Sequence, residues 1–175
     1  MAGSVTTGGA AGPGTWVLLS YRLPREPSTP RITVWRKLKR IGVAQISDGL
    51  VALPADARTR EHLDWIADEI LEAGGTASIW LAQPGSLATE RELAAAMATA
   101  RAGEYAKVIA EANTVAGSDE KTQLARARRL RAELRRIRRR DHFPPPERDQ
   151  ATAAVEALAH PTTPGTTATP EEHRT

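Results

Sequence analysis

The sequence predicts an α+β chain: a ferredoxin-like βαββαβ domain followed by a C-terminal helical pair or hairpin. Three observations carry this expectation. Residues 15–84 run strand, helix, strand, strand, helix, strand when read by apolar period. Asp48-Gly49 separates the middle two strand candidates by a two-residue turn, which favours a hairpin over a doubly wound parallel sheet. Beyond Gly85 the periodicity is helical. The expected product is a four-stranded antiparallel sheet carrying two helices on one face.

Taken in order, residues 1–14 are mostly Gly, Ala, Ser and Thr, too polar and small to offset ordering entropy, and read as a disordered leader. Thr15 opens TWVLLSYRL, a central strand buried around Val17 to Leu19 and stopped by Pro24. Ser28 or Thr29 caps a helix from Pro30 to Ile41, whose apolar face is Ile32, Trp35, Leu38 and Ile41, with Gly42 as its C-cap. VAQIS and LVALP flank the Asp48-Gly49 turn. A second helix spans Asp56 to Ala73 with Leu63, Ile66, Ala67, Ile70 and Leu71 on one side; Gly74-Gly75 ends it, and TASIWLAQP is the fourth strand.

Residues 85–143 hold the helices expected to pack on that domain. Thr89 to Val115 is helical, with Gly103 as a weak point. Leu124 to Arg140, LARARRLRAELRRIRRR, has nine arginines against one acid, Glu133, and an apolar stripe of Ala127, Leu130, Leu134 and Ile137. Pro144-Pro145-Pro146 cannot continue it. Residues 144–175 read as a mostly disordered Pro- and Thr-rich tail in which 147–159 form at most one further helical stretch around Ala154, Val155 and Leu158.

Composition narrows the classes. A length of 175 residues suits one domain of ~100 to 150 residues with tails. Aromatics are only 4%, so the core rests on aliphatic residues, and Trp16, Trp35, Trp65 and Trp80 are all expected inside it. Without cysteine there is no disulfide, thiolate nucleophile or thiolate metal site. No stretch has the ~18 apolar residues of a membrane span, and a secretory signal is lacking, so a cytoplasmic address is expected. The four histidines are scattered, strand 1 ends in Ser20-Tyr21-Arg22 without a carboxylate for a metal, and no phosphate-binding loop or nucleophile elbow occurs. Neither catalysis nor a cofactor or metal is expected.

The net charge is +3, but the pI near 9.7 reflects clustered arginines, which makes DNA the first partner to consider. Candidate nucleic-acid contacts are Arg128, Arg131, Arg135, Arg136, Arg138, Arg139 and Arg140 on the last helix, with Arg31, Arg36, Lys37, Lys39 and Arg40 near the first. The near absence of acids at i±4 argues against a merely solvated face. An acidic protein or a second copy remains the alternative partner. Tyr21, Arg22 and Arg31, at a strand end and a helix start, form a candidate oxyanion site.

Trp16 with Leu18-Leu19, Tyr21-Arg22-Leu23-Pro24, Arg31, Trp35-Arg36-Leu38, Gly42, Leu53-Pro54 and Arg139-Arg140-Asp141-x-Phe143 together resemble the N-terminal domain of the ChrB-type chromate-resistance regulators, and more distantly the middle domain of PaaX-type repressors. The resemblance covers about residues 15–145. It implies a DNA-binding transcriptional regulator controlling chromate efflux, with chromate or another oxyanion as effector. A homodimer is the assembly expected. It also implies a second domain after Arg-Asp-x-Phe, whose place here is taken by the Pro- and Thr-rich tail.

Overall fold

The computed structural model describes residues 13–160. The expected leader, apart from its last two residues, and the tail beyond 160 therefore lie outside the described residues. β1 (Trp16–Arg22) is central, pairing antiparallel with β3 (Leu50–Pro54) and with β4 (Thr76–Ala82). β2 (Ala44–Ser47) pairs antiparallel with β3, so the order is β2-β3-β1-β4. α1 (Thr29–Ile41) joins β1 to β2 and α2 (Ala57–Glu72) joins β3 to β4. Each of these two units thus holds a strand of the other between its own two strands.

Glycine decides the hairpin. Gly49 sits at φ 73°, its carbonyl accepts a 2.7 Å bond from the Tyr21 N–H, and an added Cβ would lie 2.3 Å from the Tyr21 carbonyl oxygen. Only a residue without a side chain fits there.

Residues paired across strands share a face. Val17 and Leu19, opposite Leu53 and Val51, join Val34 and Leu38 of α1 and Leu63, Ile66 and Ile70 of α2 in one core. Each such side chain contributes about 1.5–3 kcal/mol on burial. α2 begins with a reciprocal cap: Asp56 Oδ1 accepts from the Thr59 N–H at 2.7 Å, and Thr59 Oγ1 accepts from the Asp56 N–H at 3.0 Å.

Two expectations about apolar positions fail. In α1 the buried residues are Val34 and Leu38, while Ile32 is 48% exposed. A strict three-residue step drifts about 60° per step at 3.6 residues per turn, so Ile32 and Ile41 stand on opposite sides of the helix. Trp16 is buried and Trp35 half-buried, but Trp65 and Trp80 are 58% and 59% exposed. Trp65 is about 100° round from Ile66, on the side away from Leu63 and Ile70. Trp80 stands on the edge strand β4.

α3 (Leu87–Val115) is one helix of 29 residues, unbroken at Gly103 and ~44 Å long. Its first half serves the sheet: Leu93 and Met97 join the first core, and Glu90 Oε1 accepts from the Trp16 indole N–H at 3.1 Å. Its second half serves another core, in which Tyr105, Val108 and Ala112 meet Ala127, Leu130, Leu134 and Ile137 of α4 (Glu120–Arg138). α5 (Glu147–Ala159) supplies Ala151, Val155 and Leu158 to the same core. The expected helical pair is therefore a trio. The further helical stretch allowed for residues 147–159 is present as a packed helix, with Ala151 rather than Ala154 buried beside Val155 and Leu158 on one face.

Candidate nucleic-acid interface

α4 starts at Asp119, whose carboxylate accepts from the Thr122 N–H at 3.0 Å. Its narrow apolar stripe docks on α3, the expected pairing, and also on α5, which the expected helical pair did not include. The stripe also buries Gln123, whose amide donates to the carbonyls of Ala116 and Ser118 at 2.7 and 2.8 Å.

The nine arginines then divide by partner. Arg126 and Arg129 pair with Glu111 of α3, Arg131 with Glu156 of α5, Arg136 with Glu133, and Arg140 with Glu104 of α3. Arg131 is bidentate, at 2.9 and 2.6 Å, which holds the Glu156 carboxyl below the usual carboxylate range. Arg128, Arg135, Arg138 and Arg139 are exposed and have no carboxylate partner among the described residues. Arg128, Arg135 and Arg139 follow the i, i+7, i+11 spacing of one outward stripe, ~16 Å from end to end.

That stripe leads into a cleft of about 740 Å³ between the sheet and the helical trio. Arg40 and Ile41 enter from the end of α1, Arg58 and His62 from the start of α2, and Arg136 with Arg138 to His142 from the end of α4 and its exit. Two contacts hold the walls together: Arg58 Nη2 donates to the Arg139 carbonyl at 3.3 Å, and His142 Nε2 lies 3.1 Å from the Ile41 carbonyl. Of the cleft's carboxylates, Asp56 serves in the cap of α2, while Asp141 Oδ2 accepts from the Tyr105 hydroxyl at 2.8 Å and its Oδ1 is buried without a partner among the described residues. Arg40, Arg58, Arg138 and Arg139 are left facing solvent without an acid among the described residues, two from each side.

Behind the cleft, charge is buried as structure. Burial pushes the Arg101 guanidinium down and Glu104 opposes that shift, while Glu104 also takes Arg140. Burial first, and then the bond to Asp141, push the Tyr105 hydroxyl far up. Gly42, at φ 78°, lies against this segment, and an added Cβ would meet the Arg140 carbonyl oxygen at 2.6 Å. Phe143 stacks on Trp16 with ring centroids 5.8 Å apart.

The basic cluster of α1 is dispersed by the fold. Lys37 pairs with Glu69 of α2, Lys39 lies 5.0 Å over the Trp35 ring, and Arg36 is exposed, so only Arg40 reaches the cleft. Tyr21, Arg22 and Arg31 do line one cavity, of about 600 Å³, together with Ser28 and Asp48. Burial chiefly raises the Tyr21 hydroxyl, Asp48 adds to the rise and Arg31 opposes it, so this group is a neutral donor. The Asp48 carboxylate works against an anion there. Arg58, His62 and His142 escaped the sequence reading, because nothing local distinguishes them from solvated side chains.

No helix among the described residues is long and apolar enough to cross a membrane. Groups of three or more His, Asp or Glu that could hold a metal are absent among the described residues. The chain is 30% identical over 145 residues to Protein ChrB of Cupriavidus metallidurans, an alignment covering 81% of this chain and 43% of that protein. It therefore spans less than half the length of that relative. No solved structure matches it. Residues 31–164 match the family described as Protein ChrB, N-terminal, and the cleft-forming segment from Arg136 to His142 lies within the match: the chain belongs to the ChrB N-terminal family.

Proposed function

We propose that the protein is a DNA-binding transcriptional regulator associated with chromate resistance, acting without catalysis or cofactor in the cytoplasm as a homodimer. The observation that carries this reading is the outward stripe Arg128, Arg135 and Arg139 running into a cleft where Arg40, Arg58 and Arg138 also lack acids among the described residues. Guanidinium groups so spaced take successive phosphates, and each contact releases condensed counterions. Family membership supplies the link to chromate. The cavity of Tyr21, Arg22 and Arg31 is the effector site of this reading, with the Tyr21 hydroxyl and two guanidiniums as donors to an oxyanion.

A gel-shift series on the protein's own upstream region, with and without chromate, tests it. A specific complex that chromate dissolves supports the proposal. Equal binding to unrelated DNA, unchanged by chromate, overturns the regulatory part.

A second reading has one observation in its favour. Five of the nine arginines already pair with carboxylates of this chain, so the same helix can cover an acidic protein surface. Binding to unrelated duplex DNA that does not vary with salt favours that reading over DNA.

A further inference from the structure

The two edges of the sheet are built differently. β2 has four residues, and its pairing with β3 is interrupted between Gln45 and Ser47. Shortness and a bulge both blunt an edge against further pairing. β4 has seven residues, TASIWLA, in regular register from Trp16 opposite Ala82 to Arg22 opposite Thr76. The strand contains no charge and no proline, and among the described residues its outer side has no strand partner. Alternate residues therefore present unpaired N–H and C=O groups.

Large apolar side chains border that open side on both faces. Trp80 is 59% exposed on one face, and Leu81 is 61% exposed on the other. Leu71 of α2 adds a third, 53% exposed. It lies about 200° round the helix from Glu69, whose carboxylate pairs with Lys37 of α1, so it is on the flank of α2 turned away from α1.

We infer that β4 pairs antiparallel with β4 of a second copy, centred on Ile79, extending the sheet to eight strands. A strand pairing with itself closes by a two-fold axis, so the assembly stops at two. The sequence around Ile79 is complementary to its own reverse. Trp80 falls opposite Ser78 of the second copy on one face, and Leu81 opposite its Ala77 on the other, so each bulky side chain meets a small one. The absence of charge along the strand removes the repulsion that normally prevents such pairing. This inference names the surface of the proposed dimer and uses none of the cleft arginines.

Sedimentation of the full chain at tens of micromolar, without DNA, reads it directly. The wild type sediments at twice the chain mass. Trp80→Lys halves that mass, whereas Trp65→Lys, an equally exposed tryptophan on α2, leaves it doubled; circular dichroism verifies that both variants are folded. The protein has no cysteine, so Ile79→Cys provides a register test. Mild oxidation links this variant to itself under native conditions and not in urea. A monomeric wild type overturns the inference, and is the result if residues outside 13–160 cover the strand. A dimeric Trp80→Lys, or no cross-link from Ile79→Cys, overturns it too. Because no DNA is present, either result leaves the DNA reading to its own test.

Discussion

Replacing Arg40, Arg58, Arg138 and Arg139 together with Ala removes the cleft cations that have no acid among the described residues. If each meets one phosphate, the slope of log affinity against log salt becomes shallower by about 3.6, at ~0.9 per phosphate. Over a fourfold rise in salt, from 50 to 200 mM, the wild type then loses about 150-fold more affinity than the variant. Fluorescence anisotropy on a labelled duplex at four salt concentrations measures both slopes. The control is Arg126→Ala with Arg129→Ala, on the same helix, whose side chains are held by Glu111. It removes two charges but no proposed phosphate contact, so its slope stays that of the wild type. Because Arg58 also bonds the Arg139 carbonyl and Arg138 bonds the Thr152 hydroxyl, circular dichroism verifies that both variants are folded before their slopes are compared. Equal slopes for wild type and quadruple variant, or equal flattening by the control, refute the assignment of the cleft as the phosphate surface.

Two further outcomes follow from the geometry. Gly42→Ala places a side chain at φ 78°, 2.6 Å from the Arg140 carbonyl oxygen. The backbone strain alone costs roughly 1–3 kcal/mol, and calorimetry should show Tm lower by at least about 2 °C; an unchanged Tm contradicts the contact between α1 and the end of α4. For Asp56, the Thr59 backbone N–H chiefly holds the carboxyl below its usual range. A depressed folded pKa gives stability that is present above the unfolded value of ~3.9 and lost as pH falls through the folded one. Asp56→Asn keeps the cap without the charge, so its Tm should fall less than the wild type's below about pH 4; parallel curves there contradict the assignment.

Local sequence carried the sheet well, since period-two runs, the Asp48-Gly49 turn and the Gly42 cap all act within a few residues. Long-range pairing was another matter. The acids that neutralise α4 are Glu104, Glu111 and Glu156, 15 to 36 residues from their arginines, so the neighbouring turns of the helix itself hold only Glu133. The cleft escaped for the same reason: Arg58 and His142 acquire meaning only when the starts and ends of three helices converge. Ile32, Trp65 and Trp80 were misplaced because apolar character says that a side chain prefers cover and not that the fold supplies it. Neither DNA nor oxyanion contact is visible in the chain alone.

The single rod of α3 has a mechanical meaning. With Met97 in one core and Tyr105 in the other, the sheet and the helical trio are mounted on a common axle rather than joined by a hinge. A chain cut at residue 85 strips the sheet of the cover over Trp16 and takes the axle from neither side cleanly. Melting of one core frays the helix that the other requires.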